Sequence, residues 1–198
     1  MKKLLILIII MMPLLAGAQG FYGGFRLGVT GSQVQGDNLS GFDKAGLTGG
    51  FLVGIPVGNY SVIQTELLFV QKGSRKNPTK NDPSKYIMRL NYVEMPFLYR
   101  RQLKESYGFE SGLSFGVLLQ TEDVEFDENG TLNSRESFEK FEVAAHVGIW
   151  YNINDNVRVN LRYSHSVLPI RPHQGGATYY FNKGQYNLVL GLTLEYRF

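Results

Sequence analysis

The chain has 198 residues, with 20 Lys and Arg against 17 Asp and Glu, and no cysteine. The missing cysteines exclude a disulfide framework, a thiolate metal or redox site and lipid attachment at a cysteine. A charge this close to balance leaves no basic footprint for nucleic acid.

Met1 to Ala18 has the layout of an export signal, predicted to be removed. Lys2 and Lys3 supply the charged start, Leu4 to Leu15 the apolar run, and Ala16-Gly17-Ala18 the small residues of a cleavage site. The apolar run is about a dozen residues, short of the roughly twenty that a spanning helix needs. Removing Lys2 and Lys3 leaves 18 basic residues against 17 acidic ones in residues 19–198, a length that suits one domain.

Eight alternating segments follow, at 21–30, 45–55, 60–72, 87–101, 107–120, 139–153, 157–166 and 185–198. Successive side chains of a strand point to opposite faces, so parity sorts each segment into two surfaces. One parity is apolar and aromatic: Phe25, Leu27 and Val29 in the first, Leu67 and Phe69 in the third, Met95, Phe97 and Tyr99 in the fourth. The other parity carries Arg26, Glu66, Glu94, Glu110, Glu142, Arg158, Arg162, Glu195 and Arg197, with Gln64, His146 and many glycines. No charge falls mid-segment on the apolar parity, as contact with lipid requires, because a basic residue at the bilayer midplane costs about 2–4 kcal/mol. A soluble barrel would place its apolar side chains inside. The pattern therefore predicts an all-β fold, an eight-stranded antiparallel transmembrane β-barrel of the outer-membrane type.

The connections alternate between short ones (near 56–59, 102–106 and 154–156) and long ones (near 31–44, 73–86, 121–138 and 167–184). In bacterial barrels the short turns are periplasmic and the long loops external, which puts both termini in the periplasm. The final segment ends on Leu192, Leu194, Tyr196 and Phe198 at alternate positions. These four residues are predicted to form the C-terminal signal read by the barrel-assembly machinery.

An eight-stranded barrel is only wide enough for side chains to fill. Glu66 and Glu94 are expected at mid-height on adjacent strands, and buried carboxylates must be paired or protonated. Arg26 and Arg162 are expected to reach across the lumen to both, making an ionic plug of structural purpose; a gated ion path is the competing account.

The mature chain resembles the porin-family outer-membrane β-barrel domain of Bacteroidota, the PorT-like group. The likeness is carried by GFRLGVTGS (24–32), QTELLFVQKGS (64–74), LNYVEMPFLYR (90–100), YGFESGLSFGVLL (107–119) and LGLTLEYRF (190–198). Phe69 stands at an aromatic position of that pattern, and Thr65 stands where the group often has proline. The resemblance implies an outer-membrane barrel; a role in secretion of surface proteins, associated with one branch, would be analogy from fold.

Three side features complete the reading. Glu125-x-Asp127-x-Asn129-Gly130 followed by Glu136 has the spacing of a calcium loop, but with glutamate where that motif starts on aspartate and with strands as its flanks. An acidic hairpin tip is the simpler account, so no cofactor is assigned. The second long loop is basic (Arg75, Lys76, Lys80, Lys85) and the third acidic (Glu122, Asp123, Glu125, Asp127, Glu128), suggesting mutual attraction, with contact to lipopolysaccharide phosphates as the alternative. Tyr179, Tyr180 and Phe181 in the fourth suggest an aromatic girdle or a docking patch. Along single strands no serine lies two residues from a histidine, so no acyl-transfer pair is expected at the lipid face. The leading expectation is a non-enzymatic barrel in contact with outer-membrane lipids, binding at its surface or supporting an envelope protein complex. A narrow channel comes second and a lipid-modifying enzyme third.

Overall fold

A computed structural model describes residues 20–37, 39, 41–80, 82–120, 124–127, 129–132, 137–172 and 184–198. Outside the described residues lie the export signal, Glu122, Asp123, Glu128, Glu136, His173 and the Tyr179–Phe181 aromatics. Eight long strands form a closed ring: β1 (Tyr22–Gln35), β2 (Lys44–Pro56), β3 (Ser61–Lys76), β4 (Tyr86–Lys104), β5 (Tyr107–Leu118), β8 (Phe141–Asn152), β9 (Val157–Ser166) and β10 (Tyr186–Arg197). Each is antiparallel to its neighbours, and β10 pairs with β1 to close the cylinder. Closure leaves no strand edge, which hydrocarbon demands because it offers backbone groups no partner.

Two short strands, β6 (Glu125–Asp127) and β7 (Gly130–Thr131), are additional to the eight that the alternation predicts. They make a small hairpin in the third long loop, and β6 pairs with Tyr86–Met88 at the start of β4. A strand this short has no periodicity to read. β1, β3 and β4 also run past their predicted ends, into polar sequence that gives no apolar signal. At β3 the extension passes through Gly73, whose φ of 130° and close approach to the Met88 carbonyl leave no room for a side chain.

Short turns join strands at one end of the cylinder. In one of them the Asn154 side chain accepts from the backbone N–H of Asn156 (3.0 Å) and of Val157 (2.7 Å), an Asx turn that starts β9. The outward surface carries the expected apolar parity: Leu27, Phe51, Leu67, Phe97, Leu113, Phe115, Ile149, Leu192 and Leu194 are all exposed. The inward surface is buried and largely polar.

Candidate functional site

The lumen is filled in three layers. The lowest is built on the register of the strands, which sets Arg26 beside Glu195 and Arg158 beside Glu195 on the two flanks of β10. Gly148 lies between Glu110 and Arg162 in the ladder; a Cβ there would come within 3.0 Å of Glu110, so the glycine lets those two side chains meet over β8. Arg162 donates through Nε to Glu110 (2.6 Å) and through both terminal nitrogens to the two oxygens of Glu66 (2.8 and 3.0 Å). Arg26 donates to Glu66 (3.2 Å) and to Glu195. Arg100 reaches both Glu195 oxygens (2.8 and 3.2 Å) and stands 3.1 Å from Glu110. Arg158 lies over the Trp150 ring, 3.9 Å from its centroid, with its nearest contact to Glu195 also at 3.9 Å.

The middle layer centres on Lys72, which is paired with Glu94 and donates to Glu142 (2.7 Å). Glu142 also accepts from Ser166 and from Asn187 (3.1 Å), and Lys72 sits 4.9 Å above the Tyr92 ring. Between these layers lies a cavity of about 30 Å³, edged by Arg26, Glu94, His146, Arg162, Ser164 and Thr193. That is room for water-sized molecules and no more.

The third layer, at the end of the long loops, is apolar. Val34, Met88, Leu90, Tyr92, Leu118, Val124, Phe138 and Ile170 pack together across that mouth. A buried ion pair ties this cap to the loops: Arg171 grips both oxygens of Glu125 (2.6 and 2.9 Å), bonds Gln185 (2.8 Å) and stacks on Phe138 at 4.3 Å. Tyr86 donates to the same Glu125.

Of the ionic residues picked out by parity, Arg26, Glu66, Glu110, Arg158, Arg162 and Glu195 meet in the lower layer, while Glu94 and Glu142 meet Lys72 in the middle one. The expectation that Arg26 and Arg162 serve Glu94 as well as Glu66 is corrected. Glu94 is level with Leu68, one inward position farther along β3 than Glu66, and the guanidinium groups are already engaged with Glu66, Glu110 and Glu195. Lys72, two inward positions beyond Leu68 along β3, takes Glu94 instead. Arg197 stays at the rim, donating to the Asp155 carbonyl (2.9 Å).

Lys72 and Arg100 are ionic partners that the segment reading missed. Both lie on the inward parity of predicted strands, and the signal was there; each falls at a segment end, where a charge reads as solvated. Arg171 sits in a loop without periodicity, so no sequence signal marks it. With Lys72 and Arg100 included, five cations (Arg26, Lys72, Arg100, Arg158, Arg162) face five carboxylates (Glu66, Glu94, Glu110, Glu142, Glu195) in the two ionic layers.

His146 is buried in the lumen with Nε2 2.7 Å from the Ser114 hydroxyl. The spacing rule along one strand could not reveal this contact, which crosses from β8 to β5. The pair faces the lumen, away from lipid, and His146 Nδ1 has no hydrogen-bond partner to orient the ring.

In the third loop Glu125 is drawn inward onto Arg171, and Asp127 accepts from the Asn129 backbone N–H (2.7 Å) in the turn between β6 and β7. In the second loop Lys76 pairs within its own loop, with Asp82 at 2.5 Å. Of the charges expected to draw the two loops together, Glu125 goes to the lumen and Lys76 to its own hairpin, while Glu122, Asp123 and Glu128 lie outside the described residues.

Among known families, the one described as "Outer membrane protein beta-barrel domain" matches residues 18–170. The attachment invasion locus protein Ail of Yersinia pestis has a similar structure, with a TM-score of 0.54 at 15% identity over 91% of this chain and 99% of Ail. Neisserial surface protein A is similar too, with a TM-score of 0.55 at 12% identity over 90% of this chain and 97% of that protein. At these identities the likeness is one of fold. Among curated protein sequences no relative is found.

Proposed function

Because the chain belongs to the outer membrane protein β-barrel domain family, we propose that it is a non-conducting, non-enzymatic barrel of the outer membrane. Its lumen is a structural plug, and its work is done at the outer surface, by binding there or by supporting an envelope protein complex. The observation that carries this reading is the sealing of the lumen twice over, by matched ions below and by the apolar cap above. A hydrated pore needs a continuous file of solvated groups. The apolar layer at the mouth interrupts any such file, and the cavity beneath it has a volume of only about 30 Å³.

In this reading the long loops face the exterior and both termini the periplasm. The outward stripe Leu192, Leu194, Tyr196 and Phe198 is exposed along β10, where a C-terminal strand can be recognised by the barrel-assembly machinery.

Planar bilayers test the reading. The refolded protein should show no resolvable single-channel current, and neither should Glu66→Gln, since Arg162 keeps Glu110 and the cap is untouched. Discrete conductance steps in wild type, or steps gained by a folded Glu66→Gln barrel, would show that the lumen is a path.

A further inference from the structure

The outer wall carries a second feature, just beyond the outer edge of the apolar band. On β4 the outward positions run Tyr99, Phe97, Met95, Val93, then Asn91 and Arg89; on β3 they run Leu67, Phe69, then Gln71, Gly73 and Arg75. Exposed Leu119, just past the end of β5, donates its backbone N–H to the Asn91 carbonyl, which marks the band's edge there. Arg89 is one outward position beyond that level, and about 13 Å along the strand from Val93.

Register puts Arg89 opposite Gly73 and Arg75 opposite Ile87, so the two arginines are diagonal neighbours on the same outward face. Gly73 has no side chain, which leaves the flank of Arg89 open. Both arginines are exposed, and among the described residues neither has an acidic partner. The obvious candidates are turned elsewhere. Glu125 and Asp127 are level with Met88 and Tyr86 on the inward parity of β6, and Asp82 is held by Lys76 and Ser84. The side chain that β6 does present outward is Phe126, level with Ile87, and the Arg89 guanidinium stacks over its ring at 5.4 Å.

Two guanidinium groups without an acidic partner among the described residues, an open flank between them and an apolar floor of Ile87 and Phe126 form an amphipathic patch at headgroup depth. Guanidinium groups bind phosphate bidentately and are the preferred side chain for it. We propose that Arg75 and Arg89 hold a phosphate of an outer-leaflet phosphoglycolipid, with Phe126 and Ile87 against its acyl or sugar portion. The proposal rests on the reading that these loops face the exterior.

Titration of the refolded, detergent-solubilised barrel with diphosphoryl lipid A, followed by native mass spectrometry, tests it. Dephosphorylated lipid A and inorganic phosphate are the comparison ligands. Wild type should retain diphosphoryl lipid A at least tenfold better than the dephosphorylated form, and inorganic phosphate should not compete at equal concentration. Arg75→Ala with Arg89→Ala should remove that preference while the barrel stays heat-modifiable on gels; Lys80→Ala, an exposed charge of the same loop, should leave it intact. Equal retention by the double variant, or equal retention of the two lipids by wild type, would overturn the phosphate site. Orientation is read separately. The chain has no cysteine, so Asn77→Cys should react with an impermeant maleimide on intact cells; a cysteine that reacts only after lysis would overturn the outer leaflet as the source of the lipid.

Discussion

Arg162 donates to Glu110 through Nε and to both oxygens of Glu66 through its terminal nitrogens, so one guanidinium neutralises carboxylates from β3 and β5 at once. Removing a single partner from such a cluster leaves the others charged and out of water, which costs about 3–5 kcal/mol. Arg162→Ala should therefore lower the unfolding free energy of the refolded barrel by about that amount in denaturant titration. Arg26 softens the loss at Glu66, which it also contacts at 3.2 Å. Combining Arg162→Met with Glu66→Gln leaves four cations against four carboxylates, with Glu110 still beside Arg100, and should recover most of the stability. A double variant as unstable as Arg162→Ala would mean that shape, rather than charge balance, holds this layer. Gly148 is the silent partner of the interaction, since it vacates the space in which Glu110 and Arg162 meet.

At the scale of the element, the hairpin of β3 and β4 shows how a loop can be ordered by its own charges. The Lys76 ammonium and the Ser84 hydroxyl and backbone N–H converge on Asp82, and the hydrogen bond from Lys76, followed by those from Ser84, lowers its carboxyl pKa to about 2. A depressed carboxylate stabilises the folded loop at any pH above its ordinary value near 3.8, and that contribution fades as the pH falls through about 2. Carboxyl-carbon NMR should find Asp82 titrating near the lower value in wild type and moving back up in Lys76→Met. An unchanged midpoint would show that the contact does not persist in solution. The same hairpin marks the limit of what sequence pattern reveals. Mid-strand parity located Arg26, Glu66 and Arg162 on the inner wall because apolar residues bracket them in alternation. Lys72 and Arg100 sit where the alternation runs out into polar residues that are equally good as loop, although the strands continue through them. The β6–β7 hairpin and the Arg171–Glu125 pair depend on loops meeting over the mouth, a long-range contact that no local period encodes.

At the scale of the whole molecule, the proposed plug consists of two different kinds of seal in series. Matched ions fill the lower and middle lumen, held by strands on every side, whereas the cap of Val34, Met88, Leu90, Phe138 and Ile170 depends on loop segments as well as strand ends. An apolar constriction blocks ions by excluding water, and a polar substitution there rewets it. The ionic layers block by occupying the cross-section, and they are indifferent to the polarity of the mouth. Seals in series fail only together, so Met88→Ser with Leu90→Ser should leave the barrel closed in planar bilayers, and so should Arg162→Met with Glu66→Gln and Glu110→Gln. Combining all five substitutions should give measurable steps if the barrel remains folded, as judged by its heat-modifiable migration. Current from the cap variant alone would place the whole barrier at the mouth, and would turn the buried ions from a plug into the lining of a gated path.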